Sequence, residues 1–245
     1  MTTIFGLIGR DIAHSFSAQY FADKFKNEDI HNCLYKNFDI PEIAYLSEVI
    51  KKNRPMRGLN VTIPYKEVVI PYLDKLSKKA EAIGAVNTIK VTKQGKLKGY
   101  NTDAYGFEKS LKPLLKPHHT KALILGTGGA SKAVAWVLDK LCIDYKYVSR
   151  NPTDSNLSYL DADEQTLKEY KLIINCTPLG TSPNTEAFPK IDYNGFSAEH
   201  IAFDLIYNPS ETKFLALAKE KGALTKNGYD MLVFQAEKAW EIWCK

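Results

Sequence analysis

Cysteine is scarce in this chain of 245 residues: there are four, Cys33, Cys142, Cys176 and Cys244, far apart and in neither metal-binding nor redox spacing. That excludes a disulfide scaffold and a zinc ribbon, and it suits a reducing compartment. No metal site is expected. No apolar run approaches the ~20 residues that a membrane-spanning helix requires. The opening ten residues have too short an apolar stretch for a signal peptide and read as a strand and a turn, so a cytoplasmic location is expected. There is no internal repeat and no low-complexity segment. Nor is there a basic stripe: 33 Lys and Arg are interspersed with 28 Asp and Glu for a net charge of +5. Nucleic-acid and membrane partners are therefore not expected, while the small positive surplus suits an anionic small molecule. What is present, 44% hydrophobic and 25% charged residues, is ordinary for a folded soluble domain.

Residues 4–8 read as a buried strand, followed by a turn at Gly9 and a helix over about 18–26. Residues 59–63 alternate with period two, which places Asn60 and Thr62 on one face of a strand. Pro64 marks a strand-to-helix turn, and Pro71 ends or kinks the short helix expected after it. Residues 85–91 and 96–99 read as a hairpin through Gln94-Gly95. Beyond Pro113 and Pro117 the texture changes. Residues 122–125 form a continuous apolar run of the kind found in parallel strands covered on both faces. A helix over 134–141 and strands at 145–149, 172–176, 201–205 and about 223–225 follow. A helix over 212–221 stops at Gly222, and a last helix covers 231–243. The expected fold is α/β: an N-terminal open twisted, mainly parallel sheet domain, then a Rossmann-type doubly wound dinucleotide-binding domain.

Gly126-Thr127-Gly128-Gly129-Ala130-Ser131 directly follows a buried strand and opens a helix. The first glycine permits the tight turn, and the second lets backbone approach a pyrophosphate. The helix start then supplies free N–H groups and a positive dipole end. At the end of the next strand an NAD enzyme commonly carries an acid that grips the ribose hydroxyl. Here the chain reads Ser149-Arg150, and an arginine suits the 2′-phosphate of NADP. Asp144, the available acid, precedes that strand.

Several polar groups cluster in the N-terminal half. Ser15 and Ser17 flank a helix start, where either caps the helix or both hydrogen-bond a carboxylate. Lys66 falls on the first turn after Pro64, near Asn60 and Thr62. A helix start and partial burial both disfavour an ammonium, which fits a proton-transfer role; the alternative is a solvated surface lysine. Asn87, within a strand, needs a partner for its amide. Asp103, after Asn101-Thr102, either pairs with Lys66 or is a turn residue.

Together these segments resemble shikimate dehydrogenases over nearly the whole chain. The matching strings are Ile12-Ala13-His14-Ser15-Phe16-Ser17, Asn60-Val61-Thr62-Ile63-Pro64-Tyr65-Lys66-Glu67, Gly84-Ala85-Val86-Asn87-Thr88 and Asn101-Thr102-Asp103. They continue with the glycine loop, Asn175-Cys176-Thr177-Pro178-Leu179-Gly180, Asp204-Leu205-Ile206-Tyr207-Asn208-Pro209 and Gly228-Tyr229-Asp230-Met231-Leu232-Val233-Phe234-Gln235. The resemblance implies reversible NADPH-dependent reduction of 3-dehydroshikimate to shikimate in aromatic amino-acid biosynthesis, by a monomer or homodimer.

The resemblance also implies Lys66 and Asp103 as the catalytic pair. Ser15 and Ser17 would hold the substrate carboxylate, and Asn60, Thr62, Asn87, Asp103 and Gln235 its hydroxyls, with Tyr207 facing the substrate from the cofactor side. Residues 126–131, Ser149 and Arg150 would hold the cofactor, and Thr177, Leu179, Leu205 and Gly228 would border it. Residues 1–104 plus 230–245 would form the substrate-binding domain and 105–229 the NADP-binding domain. Three departures stand out. Ala18 replaces a common proline. Asp154 lies near where NADP-specific relatives carry a second arginine, which admits an alternative, a quinate/shikimate dehydrogenase with NAD or dual cofactor use. Asp230 has no role in this reading.

Overall fold

The computed structural model describes residues 2–12 and 15–245, so Ala13 and His14 of the first matching string lie outside the described residues. The strands are β1 (Thr3–Gly9), β2 (Cys33–Asp39), β3 (Met56–Val61), β4 (Lys75–Leu76), β5 (Thr88–Val91), β6 (Leu97–Tyr100), β7 (Lys121–Leu125), β8 (Asp144–Val148), β9 (Leu172–Asn175), β10 (Ile201–Asp204) and β11 (Leu224–Lys226). The helices are α1 (Phe16–Asn27), α2 (Leu46–Lys52), α3 (Lys78–Ile83), α4 (Asp103–Leu111), α5 (Gly129–Lys140), α6 (Glu164–Glu169), α7 (Lys213–Glu220) and α8 (Tyr229–Cys244). Two compact units result: Met1–Thr102 with Ala236–Lys245, and Asp103–Gln235.

The first unit is built on a six-stranded sheet in the order β2-β1-β3-β5-β6-β4. Strand β1 lies parallel to both its neighbours, whereas β5 runs antiparallel to both of its own. One face of the core joins Phe5, Leu7, Phe21, Phe25 and Tyr35 to Ala236, Ala239 and Trp243 from the far end of the chain. The Trp243 indole donates to the Ile89 carbonyl at 3.0 Å. A side chain at Gly58 would meet that indole at 2.3 Å, so the glycine is what lets the tryptophan lie on β3. The buried Lys24 of α1 ties the same surface together through Glu28 at 2.7 Å and Glu237 at 2.8 Å.

The second unit carries five strands in the order β11-β10-β9-β7-β8, every pair parallel. Strands β9 and β10 are buried along their whole length, each an apolar run of three residues that ends in a buried polar one, Asn175 or Asp204. This is the doubly wound α/β arrangement. The strand order reverses between β7 and β9, and ligands of such sheets bind beyond the carboxyl ends at that reversal. Gly126 follows β7 and Thr177 lies just beyond β9, so both stand there.

The structure corrects the surroundings of Lys66. No α-helix follows Pro64: residues 63–69 form successive turns and a short 3-10 segment covers Ile70–Tyr72. The Tyr65 carbonyl accepts from Val69 at 3.0 Å, but the next donor, Ile70, goes to Glu67 at 3.1 Å, and Pro71 has no N–H with which to continue. The branched Val68, Val69 and Ile70 further disfavour helical backbone. Lys66 therefore lies in a turn, not at a helix start, and no helix dipole acts on its ammonium.

Candidate active site

In the first unit the candidate polar side chains hold one another. Ser15 is the N-cap of α1, its hydroxyl accepting from the Ser17 backbone at 3.4 Å. Tyr35, buried on β2, donates from its hydroxyl to Asn60 Oδ1 at 2.8 Å. Burial pushes that hydroxyl well above the ordinary tyrosine range, against a hydrogen bond with Ser17. Asn60 in turn donates to the Asn87 carbonyl and to Thr88 Oγ1, both at 3.3 Å. Asn87 Oδ1 accepts from the Thr102 backbone at 2.7 Å while its Nδ2 donates to Thr102 Oγ1 at 3.0 Å. Asn101 donates to the Ala85 carbonyl at 3.0 Å.

A continuous network thus runs from the half-buried Ser17 through Tyr35 and Asn60 to Asn87 and Thr102, all four of the latter buried. Its members are fixed before any ligand arrives, which limits what orientations each amide can present. Thr62 follows β3 directly; its N–H donates to Ile8 at 3.0 Å, and the missing side chain of Gly9 leaves room for its methyl group. Lys66 is half-buried, and its carbonyl accepts from Val86 at 2.7 Å, which pins the turn to the segment leading into Asn87. Tyr35 was missed from the sequence. It sits in Cys33-Leu34-Tyr35-Lys36-Asn37, where polar residues break the apolar alternation expected of a strand.

Asp103 and Gln235 belong to the second unit. Asp103 opens α4 and is buried, in the first turn where a carboxylate suits the positive end of the helix. Gly106 lies one turn on, where an added side chain would meet the Met231 carbonyl at 2.4 Å and Gln235 Cβ at 3.1 Å. That close approach sets α4 against α8, with Asp103 and Gln235 on the packed elements. Asp230, unexplained by the sequence, is a first-turn carboxylate of α8 in an ion pair with Lys226.

The glycine loop is built from backbone. Gly126 has φ +99°, a left-handed value, and a Cβ on it would come within 2.9 Å of the Thr177 methyl. Gly128 is the N-cap of α5, and no side chain caps that helix start. A Cβ added at Gly128 would meet nothing within 4 Å. Ser131 is buried and turns its hydroxyl back to the Gly128 carbonyl at 2.7 Å. The loop therefore presents uncapped N–H groups into open space, which is what a pyrophosphate requires. Gly126 donates to the Val148 carbonyl at 2.9 Å, so Ser149 and the exposed Arg150 leave the sheet beside the loop. Asp144 pairs with Lys121 at the opposite end of β8, about 13 Å away along the strand, and cannot serve the same pocket.

On the other side of the reversal, Thr177 gives both its N–H and its hydroxyl to Asn175 Oδ1, at 3.0 and 2.6 Å. Leu179 donates to the Thr177 hydroxyl at 3.3 Å. Leu205 donates to the Asn175 carbonyl at 3.0 Å, and Gly228 donates to the Ile206 carbonyl at 2.9 Å. The structure therefore gathers Gly126, Thr177, Leu205 and Gly228. Tyr207 is half-buried just beyond them. Among the described residues no group of His, Cys, Asp or Glu is arranged to hold a metal, and no helix is long and apolar enough to cross a membrane.

An open helix start at the strand-order reversal of a parallel sheet, with an arginine at the neighbouring strand tip, defines a dinucleotide-binding α/β unit. Residues 7–89 match the family model described as the shikimate dehydrogenase substrate binding domain. The chain is 40% identical over 260 residues to the shikimate dehydrogenase (NADP(+)) of Carboxydothermus hydrogenoformans, covering 99% of this chain and 91% of that one. A solved shikimate dehydrogenase in complex with NADP+ superposes with a TM-score of 0.86 at 36% identity, covering 99% of this chain and 90% of that chain. The enzyme from Thermus thermophilus, solved with NADP(H) and shikimate, gives 0.86 at 33% identity, covering 99% and 93%. This chain belongs to the shikimate dehydrogenase family.

Proposed function

We propose that this chain catalyses the reversible NADPH-dependent reduction of 3-dehydroshikimate to shikimate. The observation that carries the cofactor side is the uncapped start of α5 beside Arg150, a site shaped for a pyrophosphate and a second anionic group. The membership just described carries the substrate side. When bound, NADPH supplies the hydride and NADP+ accepts it in the reverse direction.

Lys66 is the proton donor. As negative charge builds on the carbonyl oxygen, the Lys66 ammonium gives up one proton to it, so the oxygen becomes the product's hydroxyl, still bonded to carbon, and the amine is left neutral. In the reverse direction the amine takes the hydroxyl proton. Asp103 holds the substrate next to Lys66 and fixes the ammonium. Ser15 and Ser17, at the start of α1, take the carboxylate, favoured there by the positive end of the helix. Asn60, Thr62, Asn87 and Gln235 take the ring hydroxyls, and the network behind Asn60 and Asn87 keeps their amides from turning. A site of this kind rejects analogues that leave its buried polar groups unpaired.

Tyr207 faces the substrate from the cofactor side. Residues 126–131 with Ser149 and Arg150 hold the cofactor, and Thr177, Leu179, Leu205 and Gly228 border its nicotinamide. Residues 1–104 with 230–245 form the substrate-binding domain, and residues 105–229 the NADP-binding domain. The enzyme works in the cytoplasm as a monomer or homodimer. The test is an assay of nicotinamide absorbance with shikimate and NADP+, and with quinate and NAD+ as controls. Turnover highest with shikimate and NADP+ is the expected result; NADP+ binding without turnover would overturn the assignment.

A further inference from the structure

We infer that Asp204 is a positioning residue that shapes the cofactor-side pocket by anchoring both the Thr177 turn and the segment of residues 205–207 to one buried carboxylate. The inference rests on the NADP(H) reading above. Asp204 ends β10 with no solvent exposure. Its Oδ1 accepts from Asn175 Nδ2 at 3.1 Å and from the Ile206 backbone at 3.0 Å, and its Oδ2 accepts from Thr212 Oγ1 at 2.6 Å. Three neutral donors converge on a group that, ionised, can only accept.

The direction of every later link follows from that. Because Asn175 turns its Nδ2 to Asp204, its Oδ1 faces Thr177, where it accepts both the backbone N–H and the hydroxyl. The Thr177 hydroxyl, its proton spent on Asn175, is left to accept from Leu179. The Thr177 methyl in turn fills the space that the missing side chain of Gly126 leaves in the phosphate loop. The second arm runs through Ile206, whose carbonyl accepts from Gly228 at 2.9 Å. An added Cβ at Gly228 would lie 2.1 Å from the Leu205 carbonyl, so those two segments lie against each other.

The residues placed around the nicotinamide therefore hang on one group the chemistry itself does not use. Burial opposes its charge and pushes its carboxyl up to about 6, against the hydrogen bonds from Thr212, Ile206 and Asn175. A buried carboxylate is costly where only stability is at stake, since an apolar side chain fills such a site more favourably.

The test uses the full chain with Asp204→Asn. An amide there turns a donor toward at least one of the three donors, and Asn175 can no longer be held in one orientation. NADP+ binding is measured by calorimetric titration without substrate, alongside kcat, both KM values and a thermal melt. The expected result is a Kd for NADP+ raised about tenfold, the size of one lost charge-assisted hydrogen bond, with shikimate KM little changed. Thr177→Val cuts the same chain, so the double variant should bind no more weakly than the weaker single variant. Asp163→Ala is the control: it removes the N-cap of α6, which accepts from Thr166 at 2.8 Å, and lowers stability in the same unit without touching this chain. Its Kd should stay at the wild-type value.

A Kd for Asp204→Asn within about twofold of wild type, or fully additive losses with Thr177→Val, overturns the inference. Should Asp204→Asn fail to fold, Asn175→Ala cuts the chain one link further on and carries the same expectation and the same refutation. Wild-type protein that does not bind NADP+ defeats the cofactor reading instead, so the two failures are distinguishable.

Discussion

The two halves of the candidate site are built on opposite plans. On the substrate side, side chains hold side chains: Tyr35, Asn60, Thr88, Asn87 and Thr102 form a closed, buried network. On the cofactor side, backbone does the recognising: no side chain caps the start of α5, and Gly128 faces open space. A polyhydroxylated ring needs donors and acceptors at fixed angles, which costs conformational freedom that must be lost in advance. A pyrophosphate needs only N–H groups and a dipole, which any well-formed helix start provides. Substitutions should therefore act on different observables in the two halves.

The largest effect is expected at Lys66. Lys66→Ala should lower kcat by about 10²–10⁴ with little change in substrate KM, because it removes proton transfer and leaves binding groups in place. Near wild-type turnover would remove Lys66 from the chemistry. Next, Tyr35→Phe leaves Asn60 Oδ1 buried without its donor, which should cost about 1–3 kcal/mol in stability. It should raise shikimate KM while NADP+ affinity stays unchanged. An NADP+ affinity that moves with it would erase the contrast between the halves. Arg150→Ala should do the reverse, shifting the preference for NADP over NAD by about 1–3 kcal/mol with the melting temperature unmoved. Unchanged cofactor ratios would place recognition of the 2′-phosphate elsewhere.

The smallest effect concerns acid. His119 Nδ1 accepts from Lys116 at 2.8 Å and His200 Nδ1 accepts from Ser197 at 3.0 Å, so each ring is held neutral with its other nitrogen donating to a carbonyl. Burial lowers both values below the ordinary histidine range. The unfolded chain thus takes up protons first. The contribution of these rings is complete above about pH 6.5 and is lost as pH falls through their folded values. Asp204 runs the other way, its raised carboxyl costing stability as pH rises from about 4 to 6. Urea unfolding across this range should show the histidine slope, and His119→Asn, which keeps an acceptor for Lys116, should flatten it. An unaltered slope would exclude that ring as a source.

Legibility followed the same divide. The glycine loop and strand β7 are plain in the sequence because together they are a local signal, an apolar run and then glycines, and β9 and β10 are legible from short apolar runs of their own. The edge strand β2 was not, since Lys36 and Asn37 interrupt it. Helix α4 was missed because Asp103 suits a turn and a helix start equally. Lys66 was placed on a helix that branched residues and Pro71 prevent. The links from Tyr35 to Asn60 and from Asp204 to Asn175 are invisible in the sequence, because they join residues 25 and 29 positions apart and nothing short-range announces them.

The joint between Gly58 and Trp243 has a consequence for biosynthesis. One of the first unit's two apolar clusters lacks Ala236, Ala239 and Trp243 until residues 236–245 are made. Until then the opening hundred residues hold all six strands of their sheet and one complete apolar cluster, while the cluster around Phe5, Phe21 and Tyr35 stays open. The middle of the chain, whose strands are all contiguous, can settle during that interval. Loss of residues 236–245 would deny the first unit its keystone while leaving nearly every residue of the site intact.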